Sequence, residues 1–374
     1  MKKDKREIKY LRSTFYWALF LLVVSFVQGC GENSVHSDQK VNEHRIPAEH
    51  SNLAWNFTTL PEEDIQIVDE ELGDDYYSGY GGGTSLGLSL NNIEEVTNLD
   101  DWYGRIYLET PQDELLLTLG NHTNVDRNFV LKLFYNYEEV DFSVVGTEEY
   151  SKEFLFTLPS ANQVEMPIRL DQNLTTSNSI SKLTVAVFMA PERFAMQERK
   201  LFEDFNLGLV LNFEIVYYND SELVLNFPSV EPSLRILEAY GIHGLGINQE
   251  FNPPGYAIYV PENPLMVSTG EEIEFGFVTN STNWNYDQVN VAEDYVIIVL
   301  LDWQQQPVNG QPFLLVNGSP EPDIGDHGRF YITAPQDAGF YEMIAFLVPN
   351  PTQANSAASF FPLEQSMRFT LVVE

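Results

Sequence analysis

Glu272-Ile-Glu-Phe-Gly-Phe-Val-Thr-Asn280 is the stretch that decides how this chain folds. Ile273, Phe275 and Phe277 fall on one side of an extended backbone, with Glu272, Glu274 and Gly276 on the other. Such alternation marks a strand with one buried face. Val296-Ile-Ile-Val-Leu-Leu301 is apolar on both sides and reads as a central strand. Turn signals separate such runs: Pro159-Ser, Pro167, Asn309-Gly, Asn317-Gly-Ser-Pro and Pro335-Gln-Asp. Short strands at this spacing predict β-sandwiches.

The same pattern occurs earlier in the chain. Glu114-Leu-Leu-Leu-Thr-Leu-Gly-Asn-His-Thr-Asn124 matches Glu272 to Asn283, both running into an Asn-x-Thr-Asn turn. Apolar strands follow at Phe129 to Asn136 and at Tyr295 to Trp303. Leu183 to Pro191 then mirrors Tyr341 to Pro349, and each half closes on an alternating strand, Leu209 to Ile215 and Met367 to Val373. Landmarks in one order at near-equal spacing indicate an internal duplication.

Asp337-Ala-Gly-Phe-Tyr-Glu-Met343 resembles the tyrosine corner of immunoglobulin-like domains, with Met343 in place of the cysteine. The resemblance implies a Tyr341 hydroxyl bonded back to backbone and Met343 filling the core. The first half has Ser179-Ile-Ser-Lys-Leu183 at that place. The expected fold class is all-β: two tandem immunoglobulin-like β-sandwiches at 97–218 and 262–374, joined by a connector at 219–261. Within the connector, Glu231 to Gly241 has the signals of a short helix, with Pro232 in its first turn and Gly241 after its end.

Ahead of the sandwiches, residues 30–96 read as a flexible acidic tether. Asp69-Glu-Glu-Leu-Gly-Asp-Asp75 and Gly79-Tyr-Gly-Gly-Gly83 have little apolar surface to bury. Residues 1–29 read as a signal peptide. Lys2, Lys3, Lys5, Arg6, Lys9 and Arg12 precede an apolar run from Phe15 to Val27, which is short for a membrane span. Val27-Gln-Gly-Cys30 then resembles the lipobox of bacterial lipoproteins. That resemblance implies cleavage before Cys30, a lipid on its sulfur with acyl chains such as palmitate, and an extracytoplasmic, membrane-anchored protein.

Composition narrows the function. The leader holds six of the 20 Lys and Arg and two of the 55 acids, which leaves the rest of the chain near −39. Such a field repels nucleic acid. Cys30 is the only cysteine, so no disulfide, second thiol or cysteine-rich metal site is available. Histidines at 36, 44, 50, 122, 243 and 327 show no zinc-ligand spacing, and His122 and His327 read as solvated turn residues. No nucleophile elbow, P-loop or dinucleotide fingerprint occurs.

What remains is a non-enzymatic binding or scaffolding module with a protein partner in the cell envelope. The alternatives are a carbohydrate-binding lipoprotein and, behind it, a hydrolase with acidic residues between the sandwiches. Trp284 and Tyr286 are the candidate ligand contacts, since loop aromatics can stack on sugar rings. Glu321-Pro-Asp323-Ile-Gly-Asp326-His-Gly328 is the candidate Ca²⁺ loop, with Asp323 and Asp326 as ligands. No other cofactor is implied. Trp303, at the end of a central strand, is expected in a core.

Overall fold

The computed structural model describes residues 55–67, 84–90, 104–108, 113–123, 125–144, 149–171, 180–195, 208–216, 228–232, 234–237, 245–248, 264–280, 294–318, 324–353, 363, 365–366 and 368–374. In the first half these form β1 (Thr58–Thr59), β2 (Ile65–Ile67), β3 (Thr84–Leu90), β4 (Arg105–Tyr107), β5 (Leu115–Asn121), β6 (Arg127–Tyr135), β7 (Glu138–Glu139), β8 (Phe142–Val144), β9 (Phe154–Leu158), β10 (Asn162–Leu170), β11 (Ile180–Met189) and β12 (Gly208–Val216). The second half gives β13 (Ser229–Val230), β14 (Leu234–Leu237), β15 (Leu245–Asn248), β16 (Leu265–Val267), β17 (Glu272–Asn280), β18 (Asp294–Leu301), β19 (Gln304–Gln305), β20 (Leu314–Asn317), β21 (Ile324–Thr333), β22 (Gly339–Pro349) and β23 (Phe369–Val373).

Each half is a sandwich of two sheets, and the two halves share one topology. The first half runs β1-β9-β6-β11-β12-β4 over β2-β10-β5-β3; the second runs β13-β20-β18-β22-β23-β16 over β14-β21-β17-β15. Within these sheets only β8, beside β10, lacks a counterpart among the described residues. Even the parallel edge pairs repeat: β1 on β9 and β13 on β20, then β4 on β12 and β16 on β23. In immunoglobulin terms β15, β17 and β21 are strands A, B and E, facing A′, G, F and C as β16, β23, β22 and β18. The duplication seen in sequence is therefore a duplication of the fold.

Alternation does what it should inside each sandwich. Leu115, Leu117 and Leu119 of β5 enter the first core with Leu131, Leu133, Val185 and Phe213. Ile273, Phe275 and Phe277 of β17 enter the second with Val299, Met343 and Phe369. The Tyr341 hydroxyl donates to the Asp337 carbonyl at 2.8 Å, and Met343 is fully buried behind it. Register places Ser181 where Tyr341 stands, and there the Tyr135 hydroxyl donates to Ser181 Oγ at 2.7 Å. The first half fills the missing corner from the neighbouring strand.

Several expectations change. Residues 58–59, 65–67 and 84–90, inside the stretch read as tether, are strands of the first sandwich, and β3 pairs with β5 along seven residues. Residues 229–248, read as connector, supply three strands of the second sandwich. The short helix expected from Glu231 to Gly241 is replaced by Leu234–Leu237 in antiparallel register with β21. Four residues of weak helix signal are outweighed by a ladder whose partner is already in place. The landmark alignment also slips. Core-facing Leu119 corresponds to Phe277, which matches Asn121 with Thr279 rather than with Asn280. A one-residue slip turns a side chain to the opposite face, so burial decides the register.

The largest addition is a third apolar cluster between the halves. Val130, Phe134, Tyr137, Ala186, Phe188 and Val210 of the first sandwich meet Val296, Ile298, Leu300, Trp303, Phe313, Ile344, Phe346 and Val348 of the second. The two long sheets pack face to face, giving four layers of sheet rather than two separate beads.

Candidate functional site

The seam between the sandwiches is where this chain concentrates its buried charge. It is built from strand ends and turns that repeat in the two halves. The β6–β7 connection is Asn136-Tyr137 and the β18–β19 connection is Asp302-Trp303, and all four residues have positive φ, between 46° and 72°. Two successive positive φ values define the two-residue hairpin turn that matches strand twist. An aromatic residue is rarely held there, and the strain is of order 1–3 kcal/mol per residue. Burial of the two rings offsets it. Tyr137 and Trp303 both project into the other sandwich. The Tyr137 hydroxyl donates to the Pro351 carbonyl at 2.7 Å, and Trp303 Nε1 donates to the Pro191 carbonyl at 3.3 Å.

Those carbonyls also correspond. Ala190-Pro191-Glu192-Arg193 after β11 and Asn350-Pro351-Thr352-Gln353 after β22 are equivalent turns, with φ of 48° at Ala190 and 49° at Asn350. Each closes with a backbone bond three residues on, Arg193 to Ala190 and Gln353 to Asn350. The sequence pairing of Pro191 with Pro349 is thus two residues short. The seam has the self-complementary form of a two-fold dimer interface, made within one chain.

Charge sits at both ends of this seam, differently arranged. At one end Lys182, 1% exposed, donates to Glu214 Oε1 at 2.9 Å and crosses the seam to the Gln353 carbonyl at 2.7 Å. Arg105 closes on Glu214 Oε2 at 2.7 Å. Burial pulls the Lys182 ammonium below its ordinary pKa, while Glu214 pulls it back up. At the other end Arg368 meets Glu342 Oε2 at 3.4 Å and crosses to the carbonyls of Met189 and Ala190 at 3.2 Å and of Arg193. Its guanidinium lies 4.8 Å over the Trp303 ring, a stacking worth about 0.5–2 kcal/mol. Glu342 Oε1 accepts from the Ala195 amide at 2.9 Å and from the Thr370 hydroxyl. Burial raises the Glu342 carboxyl and lowers the Arg368 guanidinium. A further fully buried lysine, Lys132, contacts Glu139 and lies 3.5 Å from Glu153.

Chemically this is a clamp. The carboxylates and cations at its two ends bond one another, backbone amides and carbonyls across the junction, and the gap in which a cleft between the sandwiches would lie is packed with apolar side chains. Side chains that proteins use for acid–base work are here committed to holding the halves together.

The residues singled out from sequence lie elsewhere. Cys30, Trp284, Tyr286 and Asp323 fall outside the described residues, as does the leader. Asp326, expected in a loop, is fully buried in β21, in register with Thr279 and Arg235. No group of three or more potential ligands occurs among the described residues. His327, expected in a turn, is fully buried in the same strand, where burial lowers its pKa. His122, also expected in solvent, is 5% exposed, with Nε2 at 2.9 Å from Ser85 Oγ. Trp303 is buried as expected, but between the sandwiches rather than inside one.

Sequence reasoning missed Lys182, Glu214, Glu342 and Arg368 because each is a lone charge on the non-core face of a strand or, for Arg368, just ahead of one, where alternation assigns it to water. The usable signal was the neighbouring apolar residues on that face. Val296, Ile298 and Leu300 cannot all face solvent, so something had to cover the outer face of β18.

The chain matches no known protein family, and no curated protein matches it. Solved structures do match at low identity. The C-terminal domain of the Streptococcus agalactiae antigen I/II polypeptide BspA is 9% identical over 77% of this chain and 99% of that one, with a TM-score of 0.21. The E. coli chaperone DraB is 9% identical over 78% and 97%, with a TM-score of 0.22. A CARDB domain from Pyrococcus furiosus is 12% identical over 34% and 91%, with a TM-score of 0.20. At such scores these likenesses carry no argument about function. The class of the protein rests on its own strand order: an all-β chain of two immunoglobulin-like sandwiches.

Proposed function

We propose that this chain is an extracytoplasmic bacterial lipoprotein, anchored through a lipid on Cys30, that works as a non-enzymatic binding or scaffolding module. The observation that carries this reading is the seam. It turns two sandwiches into one body and engages the buried ionisable groups in structure. Recognition is then left to the loops at the sandwich ends and to exposed sheet edges. Lys132, Lys182 and Arg368 are among the few cations of the chain, and all three are buried. Each is matched by a buried carboxylate, Glu139, Glu214 or Glu342, so the formal charge of −35 is left to the surface, which favours a basic protein partner.

The test is a pull-down from detergent-solubilised native membranes with tagged full-length protein beside its Cys30→Ala variant. The expected result is a specific protein that is released by high salt, together with membrane association that Cys30→Ala abolishes. Retention on cell-wall glycan with no protein recovered would replace this reading with the carbohydrate-binding one and make Trp284 the next residue to change. Unchanged membrane association of Cys30→Ala would overturn the anchor.

A further inference from the structure

We propose that the Asp302–Glu342–Arg368 end of the seam is a proton-dependent latch, closed in acid and loosened as the medium turns alkaline, while the Lys182–Glu214–Arg105 end holds throughout. The two ends share their backbone bonding. Asn136 Oδ1 accepts from the Lys182 amide at 2.9 Å and the Asn136 amide donates to the Lys182 carbonyl at 2.7 Å. Asp302 Oδ1 accepts from the Glu342 amide at 2.9 Å and the Asp302 amide donates to the Glu342 carbonyl at 2.8 Å. A neutral amide does this work in the first half, so a protonated carboxyl suffices in the second. Ionisation adds charge without adding a bond that the turn requires.

The surroundings make that charge unwelcome. From β22, Glu342 and the Tyr341 hydroxyl face Asp302; across the seam Glu153 adds a third carboxylate. Glu192, on the turn after β11, acts on Arg368, beside Arg193. The nearby lysine, Lys132, is taken by Glu139 and Glu153. Arg368 is taken by Glu342 and by three carbonyls of the first sandwich. No ion pair to Asp302 occurs among the described residues. The latch end thus sets one buried guanidinium, with Arg193 exposed beside it, against Asp302, Glu342 and Glu192, whereas the opposite end sets Lys182 and Arg105 against Glu214 alone.

Burial first, and Glu342 and Glu153 after it, push the Asp302 carboxyl up from 3.8 to about 7. A raised acid holds its proton more tightly in the closed seam than in the open chain. Its stabilising contribution is therefore full below about pH 4, erodes as pH rises, and is gone above about pH 7. Glu342, raised as well, acts in the same direction.

Amide hydrogen exchange on the full chain reads each end separately. Between about pH 5.5 and 8.5, after correction for intrinsic exchange, protection at Ala195 and Glu342 should fall roughly tenfold or more, since one pKa unit is a factor of ten. Protection at Lys182 should hold. Asp302→Asn, which installs the residue found at the equivalent turn, should remove most of the fall. Asn136→Asp should create no matching fall, because the residue its side chain bonds is Lys182, a cation, where Asp302 bonds Glu342. Equal loss at both ends, no loss in the unsubstituted protein, or a fall that is undiminished in Asp302→Asn would overturn the latch.

Discussion

The two halves of this molecule use one backbone and two chemistries. At matched positions Tyr137 stands opposite Trp303, Lys182 opposite Glu342, Asn212 opposite Arg368 and Glu214 opposite Thr370, as the paired registers of β11 with β12 and of β22 with β23 require. What persists is the role. Each half inserts one aromatic ring from a left-handed turn, donates from that ring to a proline carbonyl, and sends one cation across to a turn of the other half. What changes is where the cation and its carboxylate sit. In the first half the lysine is on β11 and the glutamate on β12; in the second the glutamate is on β22 and the arginine just ahead of β23. An interface can thus keep its geometry while its charges are exchanged, provided each buried charge keeps a partner.

That proviso gives the largest expected effect. Glu214→Ala leaves Lys182 buried without its counterion, and a broken buried pair costs about 3–5 kcal/mol. Urea unfolding should register this as a lower midpoint. Replacing Lys182 and Glu214 together with Met and Leu should cost far less, because no unpaired charge is left behind. If the double variant is as unstable as the single one, the pair contributes more than mutual neutralisation.

The rings come next. Trp303→Phe gives up the bond to the Pro191 carbonyl and weakens the stacking of Arg368, an expected loss of about 1–3 kcal/mol. Tyr137→Phe gives up the bond to Pro351 and no stacked cation, about 1 kcal/mol. A larger loss at Tyr137 would reverse the comparison and make the Lys182 end the stronger half of the clamp. Smaller again is the corner. Tyr341→Phe and Tyr135→Phe each remove one hydroxyl bond, and each should cost about 1 kcal/mol in thermal or urea unfolding. Near-equal values would support the view that Tyr135 and Ser181 stand in for the corner that the first half lacks.

How much of this was legible in advance depends on how local the cause was. The alternation in β17, the doubly apolar run in β18 and the tyrosine corner are written within a few residues, and they led to sandwiches and to a repeat. The strands at 58–59, 65–67, 84–90 and 229–248 were not, because each is short or sits among acidic, Gly-rich or Pro-rich neighbours. Their extended state is imposed by pairing with β5, β9, β10, β17, β20 and β21. The seam lay between these cases. Val130, Phe134, Phe188 and Phe346 showed apolar residues on the wrong face, but only the position of the second sandwich says what covers them. The charges of the clamp were least legible, since a strand pattern cannot distinguish a glutamate in water from one under another sheet.

The smallest effect isolates burial from bonding. Glu274, on the outer face of β17, is also a paired carboxylate: it accepts from Arg329 Nη1 and from the Tyr331 hydroxyl at 3.1 Å. The side chains of Arg329 and Glu274 are 43% and 39% exposed, against 1% and 0% for Lys182 and Glu214. Water solvates the outer pair whether or not it forms, so Glu274→Gln should cost less than about 1 kcal/mol and the cost should shrink in salt. Glu214→Gln should remain the more damaging by a factor of several and keep its cost in salt. If the two substitutions shift the urea midpoint equally, desolvation is not what distinguishes the seam from the surface, and the clamp would be no more than an ion pair that happens to lie between sheets.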